Sequence, residues 1–207
     1  MTLSNFAKDA YIAPGVSAFT HAEIPDMSSY ASQSKHWISN FFLNSMLRAN
    51  IKAPYRAYLF NYFRRAEGAF REHDLARTAT LDFLASSGQS PAQYSVALFH
   101  WEIFLGQAWH AFKILEKAFK FTLYKGGEGS VEERFNRLYN QMKHVESRIA
   151  CGQILENATV PVWIMRDGLQ SVDISLSYVE TAEVLKDVAK WADILMDPLT
   201  IREKLGA

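Results

Sequence analysis

The sequence predicts an all-α fold, a helical bundle of five or six main helices with a small β-hairpin insertion near residues 160–172. Three observations predict it. Apolar residues recur at spacings of three and four along most of the chain, Ser-x-x-Glu/Gln boxes stand ahead of three such stretches, and prolines and glycines fall between the periodic segments.

Residues 1–33 show no periodicity and read as an irregular N-terminal segment, with the serine-rich stretch 28–34 as a flexible entry or a frayed first turn; residues 34–207 read as one helical domain. From Ser34, the stripe Ile38, Phe41, Phe42, Ser45, Met46 and Ala49 predicts a helix ending near Asn50. Pro54 suits a first helical turn. After it, Tyr55, Tyr58, Leu59, Tyr62, Phe63, Ala66, Ala69 and Phe70 keep the spacing, and a shorter helix is expected from Leu75 to Ser86. Ser90-Pro-Ala-Gln93 opens what reads as the longest and most buried helix, running to about Tyr124. Ser130-Val-Glu-Glu133 opens a helix over 131–150 that Gly152 stops, and Ser177-Tyr-Val-Glu180 opens one to about Met196. Asp197-Pro198 starts a short terminal helix. Between them, β-branched and aromatic residues flank Asp167-Gly168, a pair that supplies the positive φ angles of a tight hairpin turn.

Composition bounds the class. With 22 Lys+Arg against 22 Asp+Glu and 49% hydrophobic residues, the chain is neither charged nor polar enough to stay disordered. The longest uncharged run, Phe83 to Trp101, contains SSGQSP, which a bilayer core does not accept, so no membrane association is expected. The single Cys151 and the lack of a secretory signal in residues 1–30 point to the cytoplasm. Charge is unevenly spread. Residues 35–77 hold eight Lys/Arg and three acids, a balance of +5, while residues 150–207 hold five and nine, a balance of −4. Such a basic stretch either attracts phosphates or is attracted by the acidic end of the same chain.

No cofactor or metal is expected: no Glu has a His three residues later, and no two histidines stand three or four apart. Gly126-Gly127-Glu128-Gly129 lacks the preceding strand and the following Lys-Ser/Thr of a phosphate loop and reads as a connector. The informative segment is 131–150. Phe135, Leu138, Met142, Val145 and Ile149 make one face, while Arg137, Asn140, Gln141, His144 and Arg148 make the other. An Arg can hold a phosphate bidentately and a His seven residues on can move a ribose hydroxyl proton, which suffices for phosphodiester cleavage without metal. Chance alone gives about one Arg-x(4–6)-His match in such a chain, and a polar face in water is the alternative reading.

The block RLYNQMKH, residues 137–144, on a late helix of an all-α chain, resembles the HEPN family of helical domains. The resemblance implies a small, often dimeric bundle that is either a metal-independent endoribonuclease of a toxin or defence type or a non-catalytic nucleotide- or protein-binding module. Carried over, the catalytic pair is Arg137 and His144; Asn140, Gln141 and Arg148, which share their helix face, are the expected substrate-binding residues. Leu138 stands where the family usually has Asn, Asp or His. The implied partners are a second copy of the chain, RNA or a nucleotide, and an antitoxin-like protein. A surplus of aromatics independently suggests a homodimer. A third reading is a small-molecule-binding bundle lined by Tyr55, Tyr58, Tyr62 and Trp109.

Overall fold

The structure is a computed structural model describing residues 4–46, 51–87 and 90–205. It is mostly α-helical, with one three-stranded antiparallel sheet. Short helices α1 (Asn5–Tyr11), α2 (Ser28–Ser34) and α3 (Trp37–Asn40, running into a π turn at Phe41–Met46) lead to the long α4 (Tyr55–Ala85) and α5 (Pro91–Phe119). Then come α6 (Val131–Lys143), α7 (Val145–Ala150), strands β1 (Trp163–Ile164), β2 (Gly168–Gln170) and β3 (Ser175–Ser177), and helices α8 (Tyr178–Met196) and α9 (Pro198–Leu205).

The antiparallel pair α4–α5 is the frame. Trp101 Nε1 donates to Thr80 Oγ1 at 3.1 Å, and Thr80 in turn donates to the Ala76 carbonyl at 2.7 Å, so a buried indole and hydroxyl are both satisfied between the helices. Tyr62 anchors α8 through a 2.5 Å bond from its hydroxyl to the Val188 carbonyl. Two tyrosines tie the sheet to the bundle: Tyr94 OH receives the Ile164 N–H at 2.9 Å, and Tyr178 OH donates to the Met165 carbonyl at 2.8 Å. Trp101 packs on the Tyr178 ring and Phe104 on Phe135, bringing α8 and α6 onto α5.

Several expectations are corrected. Of the segment expected to be irregular, residues 4–33 carry ordered structure: Ser4 caps α1, α2 is helical, and Ala13, Val16, Phe19, Ile24 and Met27 join the core cluster, while residues 1–3 lie outside the described residues. The helix expected over 34–50 breaks at Lys35–His36, and its expected end near Asn50 lies outside the described residues. The two helices expected over 55–86 are one of 31 residues, longer than α5 at 29. Polar Glu72 and His73 interrupt the stripe in sequence, yet both are buried within the helix. Helix α5 stops at Phe119 because Lys120 takes the left-handed conformation. That reversal sends Phe121 across α8, where it and Phe119 stack on Trp191.

The hairpin has a third strand, and its turn differs from the expectation. Among the described residues only Ser87 and Lys120 are non-glycines with positive φ, so Asp167 does not adopt the conformation of a primed turn. Gly168 instead opens β2, where a Cβ would collide with the Leu176 carbonyl oxygen of β3. Glycine is needed there for close strand approach.

His73 is 1% exposed, its ring edge-on to Trp101 and Phe104, and its Nε2 finds no hydrogen-bond partner among the described residues. Burial pushes its pKa down to about 4, with the positive Arg77 adding to the effect and Asp26 opposing it. The unfolded chain protonates near 6.5 while the folded chain does not, so stability is full above pH 6.5 and declines as pH falls towards 4, by about 3 kcal/mol. His73→Phe should remove that share of the decline, measured as the urea midpoint against pH. Parallel curves for the two proteins would refute the assignment.

Candidate functional site

Helix α6 starts where the sequence predicts, with Ser130 Oγ accepting the Glu133 N–H at 3.3 Å. The box does not close in the usual way. Glu133 turns back into the glycine connector and accepts the N–H groups of Gly127 and Gly129 at 2.6 and 2.7 Å, which hold its carboxyl below the usual carboxylate range. The connector's anion-binding amides are thus satisfied from within the chain.

The expected single helix over 131–150 breaks at His144, which caps α6 with φ −116° and ψ 32°. Phe135 and Leu138 are buried and Met142 is half-buried, but beyond them the apolar stripe has no core to face, and Ile149 is 61% exposed. The straight helical register between Arg137 and His144 therefore ends at Lys143. Exposed Arg137 pairs with Asp173 on the β2–β3 connection, also exposed. Asn140 donates to Asn136 at 3.0 Å, Asn136 bonds Tyr124, Gln141 is half-buried, and Arg148 donates to Gln153 at 2.8 Å. His144 is exposed. No side-chain hydrogen bond or ion pair joins any two of these five residues.

A different set of side chains converges on a cleft of about 570 Å³ between α2–α3 and α4. Its walls carry four cations, Lys35, Arg64, Arg65 and Arg71, and two carboxylates, Glu67 and Asp74. Arg64 donates to Asn61 at 3.3 Å and Arg65 to Gln107 at 3.0 Å, both neutral acceptors, and neither forms an ion pair among the described residues; Arg71 pairs with Glu72. Lys35 has no ion pair among the described residues. Glu67 accepts the Ile38 N–H at 2.8 Å, and burial raises its carboxyl above the usual range. Gly68 gives Gln107 its path to Arg65, because the Gln107 amide lies 3.0 Å from where a Gly68 Cβ would stand.

Arg64 and Arg65 also line a second cavity of about 330 Å³, reached by Tyr58 and His110. Of the groups lining it, His110 of α5 is bonded through Nε2 to Tyr139 of α6 at 3.0 Å, and Lys143 lies 6.0 Å from the Tyr139 ring centre, Tyr139 and Lys143 both standing just outside the cavity wall. Burial lowers the His110 pKa, and the positive charges of Arg65 and Lys143 lower it further. Burial and both cations act in the same direction, against a charge on this imidazole.

No family model, curated protein or solved structure matches this chain. Among the described residues no helix is long and apolar enough to cross a membrane. Of the aromatics considered as a pocket, Tyr62 and Trp109 are buried in the core, while Tyr58 borders the second cavity. The cleft was foreshadowed by one signal, the +5 balance of residues 35–77. Its attraction to the acidic C-terminal region is not seen: among the described residues no ion pair joins 35–77 to 150–207. Gln107, His110 and Tyr139 had no such signal, since their convergence depends on how α4, α5 and α6 pack.

With both partners exposed, the Arg137–Asp173 pair contributes little to stability. Arg137→Ala should move the chemical-denaturation free energy by no more than about 1 kcal/mol. A larger loss would show that Arg137 is structural and would remove it as a candidate for chemistry.

Proposed function

We propose that this protein is a helical module that binds a phosphate-bearing ligand, a nucleotide or RNA, in the cleft between α2–α3 and α4. The observation that carries the reading is the gathering of Lys35, Arg64, Arg65 and Arg71 on one cleft without pairing to the acidic C-terminal region. Lys35, Arg64 and Arg65, which have no ion pair among the described residues, outnumber the carboxylates Glu67 and Asp74 of the cleft, and an excess of positive charge in a concave site focuses potential on whatever anion enters. Guanidinium forks match phosphate oxygens two at a time. A HEPN-like helical module that binds nucleotides agrees with this chemistry.

Titrating a labelled short RNA and a mononucleotide into the protein tests it. Both should bind, RNA affinity should fall steeply between low and physiological salt, and Arg64→Glu should weaken both ligands by roughly tenfold or more. Salt-independent binding, or equal affinity for wild type and Arg64→Glu, would sink the reading.

A second reading is metal-independent RNA cleavage by a homodimer, with Arg137 and His144 of both copies lining a shared cleft and Asn140, Gln141 and Arg148 orienting the strand. It is favoured by the exposure of Arg137 and His144 and by the Tyr139–His110 bond that sets α6 beside the cationic surface. In that reaction His144 of one copy takes the ribose 2′-hydroxyl proton, and the 2′-oxygen attacks the phosphorus while Arg137 neutralises the phosphate. The P–O5′ bond breaks with the 5′-oxygen taking a proton from His144 of the second copy, leaving a 2′,3′-cyclic phosphate and a 5′-hydroxyl. His144→Ala should then lower the cleavage rate in EDTA on the order of 10² or more. Equal cleavage by wild type and variant would remove His144 from the chemistry, and no cleavage by either would leave a binding module.

A further inference from the structure

The two cavities that share Arg64 and Arg65 lie side by side, and only the first is a simple cationic cleft. Arg64 and Arg65 line both cavities, so a phosphate in either one meets a guanidinium fork. Beyond them stand the His110–Tyr139 pair and Lys143, contributed by α5 and α6. Arg65 belongs to both groups: its guanidinium is held by Gln107 and its charge is felt at His110 and Tyr139.

We propose that His110, Tyr139 and Lys143 form a second phosphate subsite continuous with the cleft, so that the ligand is a single nucleic-acid strand whose successive phosphates sit on either side of Arg64 and Arg65. This rests on the reading of the cleft as a phosphate site and extends it. A mononucleotide fills one cavity and leaves the other unused. A strand engages both, adding Lys143 and the His110–Tyr139 pair to the contacts of the first site. The charged and titratable groups facing His110 are Arg65 from α4 and Tyr139 and Lys143 from α6. Lys113, one turn along α5, is already paired with Glu116. A phosphate placed among them offsets the two cations that oppose protonation of His110, so strand binding takes up a proton and tightens as pH falls through the histidine range.

The experiment compares uridine monophosphate, uridine diphosphate and a short oligouridylate by calorimetry at low salt, on wild type, Lys143→Gln and His110→Gln. Lys143 is exposed, so its variant keeps the fold even if the half-buried His110 variant does not. The oligouridylate should bind wild type at least roughly tenfold tighter than the monophosphate. Lys143→Gln should erase most of that gap while leaving monophosphate affinity unchanged. Strand binding should tighten as pH is lowered from neutrality in wild type and not in His110→Gln. A gap that survives Lys143→Gln, or a diphosphate that matches the strand, overturns the strand subsite while monophosphate binding upholds the cleft. Failure of all three ligands to bind overturns both.

Discussion

Helices α4 and α5 lie antiparallel along most of their length, and α2, α3, α6, α8 and, through Tyr94, the sheet dock on that pair. Alanines on both, among them Ala66, Ala69 and Ala76 on α4 and Ala97, Ala108 and Ala111 on α5, are fully buried and let the backbones approach. Trp101, Phe104, Phe63 and Phe70 fill the space between these small residues and the neighbouring elements. The polar groups this pairing buries are mostly answered within it. Thr80 serves Trp101, and Glu72 holds Arg71 and His100. A helix of 31 residues with an internal Glu-His step is kept whole by these partners, since a buried carboxylate without them would cost several kcal/mol.

The pairing also sets the functional surface. Gly68 on α4 faces Gln107 on α5, and the amide that crosses over it holds Arg65 towards the cleft. One helical turn further along α5, His110 meets Tyr139 of α6. Cations of α4 and polar side chains of α5 and α6 thus share one surface through helix packing, with no loop or strand required to position them. The sheet serves the bundle differently. Tyr94 and Tyr178 bind its edge carbonyls and amides, so three very short strands, which would not persist alone, are pinned to the core.

Local chemistry was legible where a side chain acts on its own backbone. The Ser90, Ser130 and Ser177 caps stand at the helix starts they announce, and at Ser177 the reciprocal Glu180 bond completes the box. Gly152 ends α7 in the left-handed conformation as its position implies. Legibility failed where burial decided. Glu72 and His73 look like the end of a stripe, and His144 looks like its continuation, because sequence periodicity does not say how far the core extends. Glu133 left its expected cap for the Gly127 and Gly129 amides, donors that the same few residues also offered.

The sequence by itself determined the helical class, three of the helix starts and the presence of a hairpin, since these follow from spacing and from contacts within a few residues. It also marked residues 35–77 as cationic. Tertiary structure alone decided that Lys35, Arg64, Arg65 and Arg71 face one cleft, that among the described residues none of them forms an ion pair with the acidic C-terminal region, and that His110, Tyr139 and Lys143 stand beside them. Those contacts join residues more than twenty positions apart on three separate helices. They are set by the rotation of each helix about its axis when its apolar face docks, a quantity no local pattern encodes.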